Sequence, residues 1–140
     1  MSRTTPAICA LVLALAVAVE TRAQATTEPP TATVSIYRVA PGQHLAFLEW
    51  IAGQEAVARE AGAPATTWYV HQDGDSWDFL GIAPETSDEI EARIEELQRQ
   101  RGGKYGFQAG LEFRRHISYH TDTIAWGPTT IDEILAAARE

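Results

Sequence analysis

The chain has 140 residues, a formal net charge of −8 and one cysteine, Cys9. Such an acidic chain is not expected to bind nucleic acid or anionic membranes, because both contacts use clustered basic side chains. A chain of this length is expected to form a single domain with one hydrophobic core.

The first 25 residues are predicted to be a signal peptide that is cleaved on export. Arg3 gives a basic start, and the uncharged run ICALVLALAVAV at residues 8–19 is shorter than the roughly 20 residues of a membrane-spanning helix. The small residues of AQA at 23–25 suit a signal peptidase. We therefore expect a periplasmic or secreted protein without stable membrane insertion, the alternative being an uncleaved anchor. Because Cys9 lies in the signal, the mature chain would have no thiol for a disulfide, a metal site or a nucleophile.

Residues 26–33, TTEPPTAT, are polar and contain two prolines, so they are predicted to be a flexible leader before a domain at 34–140. Residues 34–39 alternate in the manner of a strand, and Pro41-Gly42 ends it. The spacing of apolar residues then predicts a helix over 43–62. The side chains expected to form the core face of this helix are Leu45, Leu48, Ile51 and Ala52, with Phe47 and Trp50 widening that face.

The next predicted element is a β-hairpin. Two runs rich in aromatic and β-branched residues, Thr66–Gln72 and Trp77–Ile82, flank Asp73-Gly74, a pair that favours a tight turn, so the runs are expected to pair antiparallel. A second amphipathic helix is predicted over residues 86–103. Thr86 and Glu89 stand at the spacing of a capping box at its start.

The last third of the chain has a less regular pattern. Residues 107–120 favour a helix with Phe107 and Leu111 facing inward. Residues 121–126 are predicted to be the last strand. Thr130 and Glu133 repeat the capping-box spacing and predict a short C-terminal helix.

The resulting order is βαββαβ followed by a short helix, which predicts an α+β fold of the ferredoxin-like type, with an antiparallel sheet and both main helices on one face. The opposite face of the sheet would then need cover, and a second copy of the chain packed sheet to sheet would provide it. Depending on register, that face is expected to present some of Tyr37, Trp68, Tyr69, His71, Trp77 and Phe79.

The segment YRVAPGQHLAFLEW at residues 37–50 resembles the start of domains in the dimeric α+β barrel superfamily. That superfamily includes antibiotic-biosynthesis-type monooxygenases, NIPSNAP-like and EthD-like proteins and several haem-handling enzymes. The resemblance implies a homodimer with a ligand cleft between sheet and helices, but it does not imply one chemistry. Oxygenases of this superfamily typically use an Asn, Trp and His combination, and this chain contains no asparagine, so no catalytic set is carried over.

The stretch HISYHTD contains the candidate chemistry. If the helix extends through His120, then His116 and His120 share a face, and Asp122 is placed to orient one imidazole or to act as a further ligand. Trp68 and His71 of the hairpin are expected to reach the same cleft. The alternatives for these histidines are a metal site, a ligand-pocket or proton-transfer role, and ordinary packing or capping, of which packing is favoured. No metal site is predicted, because the chain lacks any specific ligand motif.

Three functions stay open on these grounds. The first is an exported small-molecule-binding protein, or an enzyme of unknown reaction, with a cleft between sheet and helices. The second is a non-catalytic homodimer that serves interaction or structure. The third, which follows from the resemblance alone, is a haem-binding or oxygenase-type enzyme with haem on one histidine.

Overall fold

The computed structural model describes residues 30–139, so the predicted signal peptide and residues 26–29 of the predicted leader lie outside the described residues. The elements in chain order are β1 (Thr31–Val39), α1 (His44–Ala61), β2 (Thr67–Val70), β3 (Phe79–Pro84), α2 (Asp88–Gln100), α3 (Gly106–Phe113), β4 (Ile117–Trp126) and α4 (Ile131–Ala137). Strand β1 begins at Thr31, three residues before the predicted start. The end of the predicted leader is therefore part of the sheet.

The four strands form one antiparallel sheet in the order β2-β3-β1-β4. This is the strand order of a ferredoxin-like fold, and the predicted α+β class is confirmed. The central strand β1 sets the geometry of the sheet's helix-covered face. Its Ser35 lies between Gly81 of β3 and Asp122 of β4, and its Tyr37 lies opposite His120 of β4.

The predicted hairpin is present, with Thr67 opposite Ile82 and Val70 opposite Phe79. Its connection is longer than a two-residue turn and runs over residues 71–78. Gly74 adopts a φ of 108°, which only glycine takes without strain. Asp73-Gly74 lies in the connection as predicted, but β2 ends two residues earlier and β3 begins two residues later than predicted.

The core lies between the sheet and α1. Phe47 of α1 is fully buried and packs against Val39 and Phe79, with Tyr37, Ile51, Trp68, Phe113 and Ile117 around them. The predicted core face of α1 is partly wrong, since Leu45 is 69% exposed and Leu48 is 44% exposed. Leu45 and Leu48 are exposed because the large Phe47 ring fills the space over β1 and β3. This contact fixes the rotation of α1 about its own axis.

The N-cap of helix α2 lies one residue later in the chain than predicted. Ser87, not Thr86, is the N-cap, and its hydroxyl accepts a hydrogen bond from the backbone N–H of Ile90 at 3.4 Å. The Thr86 hydroxyl instead bonds to Glu91. In α4 the predicted capping box is confirmed. Hydrogen bonds that Thr130 and Thr129 donate to the Glu133 carboxylate hold its pKa below the usual value.

The predicted helix over residues 107–120 is wrong in its second half. Helix α3 ends at Phe113, and β4 begins at Ile117, four residues before the predicted strand start. Because β4 pairs with β1 along its whole length, the ladder outweighs the weak helical pattern of this segment. The inward prediction for Phe107 is also wrong, since its side chain is 77% exposed. Leu111 is 47% exposed.

Alternation along the strands assigns each side chain to a face of the sheet. Tyr37, Trp68 and Phe79 face the helices and not the open side, which corrects part of the sequence expectation. The apolar side chains that register places on the open face are Val34, Ile36, Tyr69, Leu80, Ile82 and Tyr119. Over residues 30–139, none of the helices combines the length and apolarity that a membrane crossing requires.

Candidate functional site

A groove runs between the helix-covered face of the sheet and helices α1, α2 and α3. It consists of two adjacent depressions that share Ser35, Tyr37, Ile51 and Gln54. The wide lobe, of about 400 Å³, is completed mainly by Trp50, Gly110, Phe113, His120 and Asp122. The narrow lobe, of about 240 Å³, is completed mainly by Glu55, Thr66, Trp68, Gly81, Ile94 and Gln98.

The polar centre of the wide lobe is a chain of side chains from β1 and β4. His120 and Asp122 are two residues apart on a strand, so both point to the helix-covered face. Nε2 of His120 lies 2.8 Å from Oδ1 of Asp122. The Ser35 hydroxyl donates to the same Oδ1 at 2.6 Å. Asp122 therefore fixes both neighbours through one carboxylate oxygen.

Two aromatic rings hold the His120 imidazole in place. Tyr37 stacks on it with ring centroids 5.0 Å apart, and Phe113 meets it edge to face at 4.9 Å. Within residues 30–139, no hydrogen bond engages Nδ1 of His120. An imidazole whose one nitrogen is bound by a carboxylate can exchange a proton at the other nitrogen, so this arrangement suits acid–base chemistry.

Tyr37 connects the two lobes, and the pKa of its phenol is raised. Burial raises the pKa of its phenol, the hydrogen bond with Ser35 lowers it in part, and the negative charge of Asp122 raises it further. The net direction is upward, so the phenol stays protonated well into the alkaline range. Tyr37 is therefore a neutral group in the groove at physiological pH.

His116 and His71 do not share this geometry. The His116 ring lies beside Trp50, with centroids 6.1 Å apart, and His116 is not part of the groove lining. His71 follows the end of β2 and packs against Trp77 at 5.0 Å. Each has one buried ring nitrogen without a hydrogen-bond partner among the described residues, Nδ1 in His116 and Nε2 in His71. The four-residue spacing of His116 and His120 thus does not pair two imidazoles, because the segment is not helical.

Trp68 does reach the groove, on the side of the narrow lobe. Its indole N–H donates to Oε1 of Glu55 on α1 at 2.5 Å. The ring lies across Gly81 of the neighbouring strand, where a Cβ atom would stand 3.2 Å from the indole. Gly81 therefore leaves the space that Trp68 needs to reach Glu55.

Among the groove residues that the sequence did not predict are Ser35, Tyr37 and Glu55. Ser35 and Tyr37 alternate on β1 and would have been found by placing that strand next to β4. Glu55 is one of three glutamates in α1, and its sequence neighbours do not distinguish it from Glu49 and Glu60.

The described residues form no metal-binding cluster, and His120 does not offer its Nε2 to haem. No cluster of three His, Asp or Glu side chains suitable for a metal occurs within residues 30–139. A histidine that ligates haem iron must present a ring nitrogen to the porphyrin face. Nε2 of His120 faces Asp122, and Tyr37 and Phe113 cover its ring.

Known proteins resemble this chain in their fold only. No protein-family model matches the chain, and no curated protein matches it. A NIPSNAP family protein from Agrobacterium tumefaciens is 19% identical over 73% of this chain and 95% of its own, with a TM-score of 0.51. SnoaB, a cofactor-independent oxygenase from Streptomyces nogalater, is 17% identical over 74% of this chain and 97% of its own, also with a TM-score of 0.51. The chain has their fold. The predicted ferredoxin-like α+β fold is therefore confirmed by these likenesses.

Proposed function

We propose that the groove is a ligand cleft for a small organic molecule and that His120 is the hydrogen-bonding and proton-accepting group within it. The observation that carries the proposal is the contact of His120 with Asp122 at the wall of the wide lobe. A strand histidine that served only in packing would not need a carboxylate on one nitrogen and an unengaged nitrogen on the other.

The shape of the wide lobe supports a flat, largely apolar ligand. Trp50, Phe113 and Tyr37 line it, and the Trp50 and Phe113 ring centroids are 5.5 Å apart. Its volume of about 400 Å³ falls in the range of about 300–1,000 Å³ that is usual for small-molecule sites. An aromatic ligand would therefore find both stacking partners and one polar anchor.

The proposed chemistry is removal of a proton from the bound molecule. Nδ1 of His120 would accept a proton from an acidic O–H or C–H group of the ligand, and the Asp122 carboxylate would stabilise the imidazolium that results. The neutral phenol of Tyr37 would remain a hydrogen-bond donor near the developing negative charge. The fold likeness to SnoaB, which is described as a cofactor-independent oxygenase, agrees with chemistry done by side chains alone.

A binding experiment tests the role of His120. We expect 2-naphthol, followed by NMR of the purified protein, to shift the backbone amides of β4 and α3. His120→Ala should weaken this binding about three- to tenfold, the effect of one lost hydrogen bond of about 0.5–1.5 kcal/mol. His44→Ala is the matched control, because the His44 side chain is half exposed on α1 and lies outside the groove lining. Unchanged binding by His120→Ala, or no binding by the unaltered protein, would contradict the proposal.

We also propose that the protein is a homodimer, joined through the open face of the sheet. Its apolar side chains are the supporting observation, and Tyr69 among them is 52% exposed. Sedimentation should give the mass of a dimer, and Tyr69→Glu should shift it towards the monomer. A non-catalytic dimer remains the alternative function, and it would show this mass without any ligand binding.

Export is the remaining part of the proposal, and it rests on the signal-like segment at residues 1–25. N-terminal sequencing of the protein from a periplasmic fraction is expected to begin near Thr26. Recovery of the intact N-terminus from the cytoplasm would contradict it.

A further inference from the structure

We infer that the narrow lobe binds the protonated amine of an organic cation and that Glu55 is its counter-ion. The inference rests on the proposed function, because the narrow lobe continues the groove in which His120 lies. It adds the chemical class of the ligand, namely an aromatic molecule that carries an amino group.

The charges that line the groove favour a cation. Glu55 is the carboxylate of the narrow lobe, and Asp122 is that of the wide lobe. No lysine or arginine lines either lobe among the described residues. Arg114 lies beside Gly110 of the wide lobe. In the narrow lobe, a ligand carboxylate or phosphate would meet the Glu55 charge without a lysine or arginine in the lining, which costs binding free energy. A protonated amine would instead gain an ion pair in a partly desolvated space.

Glu55 is held in one position for this role. The indole N–H of Trp68 donates to its Oε1 at 2.5 Å, and within residues 30–139 no hydrogen bond engages Oε2. Gly81 in turn leaves room for Trp68, because the Trp68 indole ring lies where a larger side chain at position 81 would have to fit. Trp68 is thus a positioning residue, and Glu55 keeps its second oxygen available as an acceptor.

The walls of the narrow lobe also suit an ammonium group. The Tyr37 and Trp68 ring centroids are 5.6 Å apart, and aromatic faces attract cations. Gln98 donates to Gln54 at 2.7 Å, which leaves the Gln98 carbonyl oxygen as an acceptor beside the lobe. An amine with three N–H donors therefore has a carboxylate, an amide oxygen and the Trp68 and Tyr37 side chains within one small space.

Three probes of similar shape test the inference by calorimetry on the purified protein at pH 7: 2-phenylethylamine, 2-phenylethanol and 3-phenylpropionate. The amine is expected to bind at least tenfold more tightly than the alcohol, and the carboxylate more weakly than both. Glu55→Gln should reduce amine affinity about tenfold and change alcohol affinity less than twofold. Its amide oxygen can still accept from Trp68, so the lobe should keep its shape. The control is Glu49→Gln, which removes the same charge from an exposed position on α1.

The outcomes separate the two proposals. If all three probes bind equally well, or if Glu55→Gln and Glu49→Gln have the same effect, the amine inference is overturned while the ligand cleft stands. If no probe binds to the unaltered protein, the amine inference is overturned, and the 2-naphthol experiment decides separately whether the ligand cleft stands. The comparison of the three probes needs no variant, so it decides the question even if Glu55→Gln fails to fold.

Discussion

Replacing Phe47 with alanine is expected to destabilise the domain more than any other single truncation on α1. The Phe47 side chain is 0% exposed, and its ring centroid lies 5.3 Å from Tyr37 and 5.7 Å from Phe79. Phe→Ala changes at such sites cost about 3–5 kcal/mol, from lost burial and the cavity that remains. A domain of this size has a total stability of about 5–15 kcal/mol, so the loss would be a large fraction of it.

Urea unfolding followed by tryptophan fluorescence measures the effect. With an m-value of about 2 kcal/mol/M, a loss of about 4 kcal/mol lowers the midpoint by about 2 M. Leu45→Ala is the matched control on the same helix, and because Leu45 is 69% exposed it should change stability by less than about 0.5 kcal/mol. If Phe47→Ala leaves too little folded protein, Phe47→Leu should still cost about 1–2 kcal/mol. Equal losses for Leu45→Ala and the Phe47 variants would refute the assignment of the core face of α1.

Two further predictions concern the pKa of Tyr37 and the cap of α4. Because burial raises the folded-state pKa of Tyr37, the unfolded chain loses this proton first, from about pH 10, and stability should fall as pH rises above that value. Tyr37→Phe should make the fall of the urea midpoint between pH 9 and pH 11 shallower, whereas parallel curves would show that Tyr37 does not contribute. Thr130→Ala removes the capping box of α4 and should cost this helix about 1 kcal/mol. Amide exchange in α4 should then accelerate about fivefold with an unchanged melting temperature, and unchanged exchange would contradict the role of the cap.

Much of the fold follows from local pattern in the sequence. The order of elements, the hairpin around Asp73-Gly74 and the capping box at Thr130 each depend on neighbouring residues, and all three are present in the structure. The strand order follows from the order of elements, because short connections and antiparallel pairing leave few alternatives. The resemblance of residues 37–50 to dimeric α+β barrel domains predicts the same fold.

The candidate site depended on tertiary structure. His120 and Asp122 were identified from the sequence, but on the assumption of a helix that would have paired His120 with His116. Pairing of β4 with β1 converted that segment into a strand, so residues two apart, not four apart, share a face. The same pairing placed Tyr37 opposite His120 and Ser35 opposite Asp122. Sequence alone could not supply these neighbours, because strand register is set by contacts between residues far apart in the chain, whereas helices, turns and caps are set by residues within a few positions of one another.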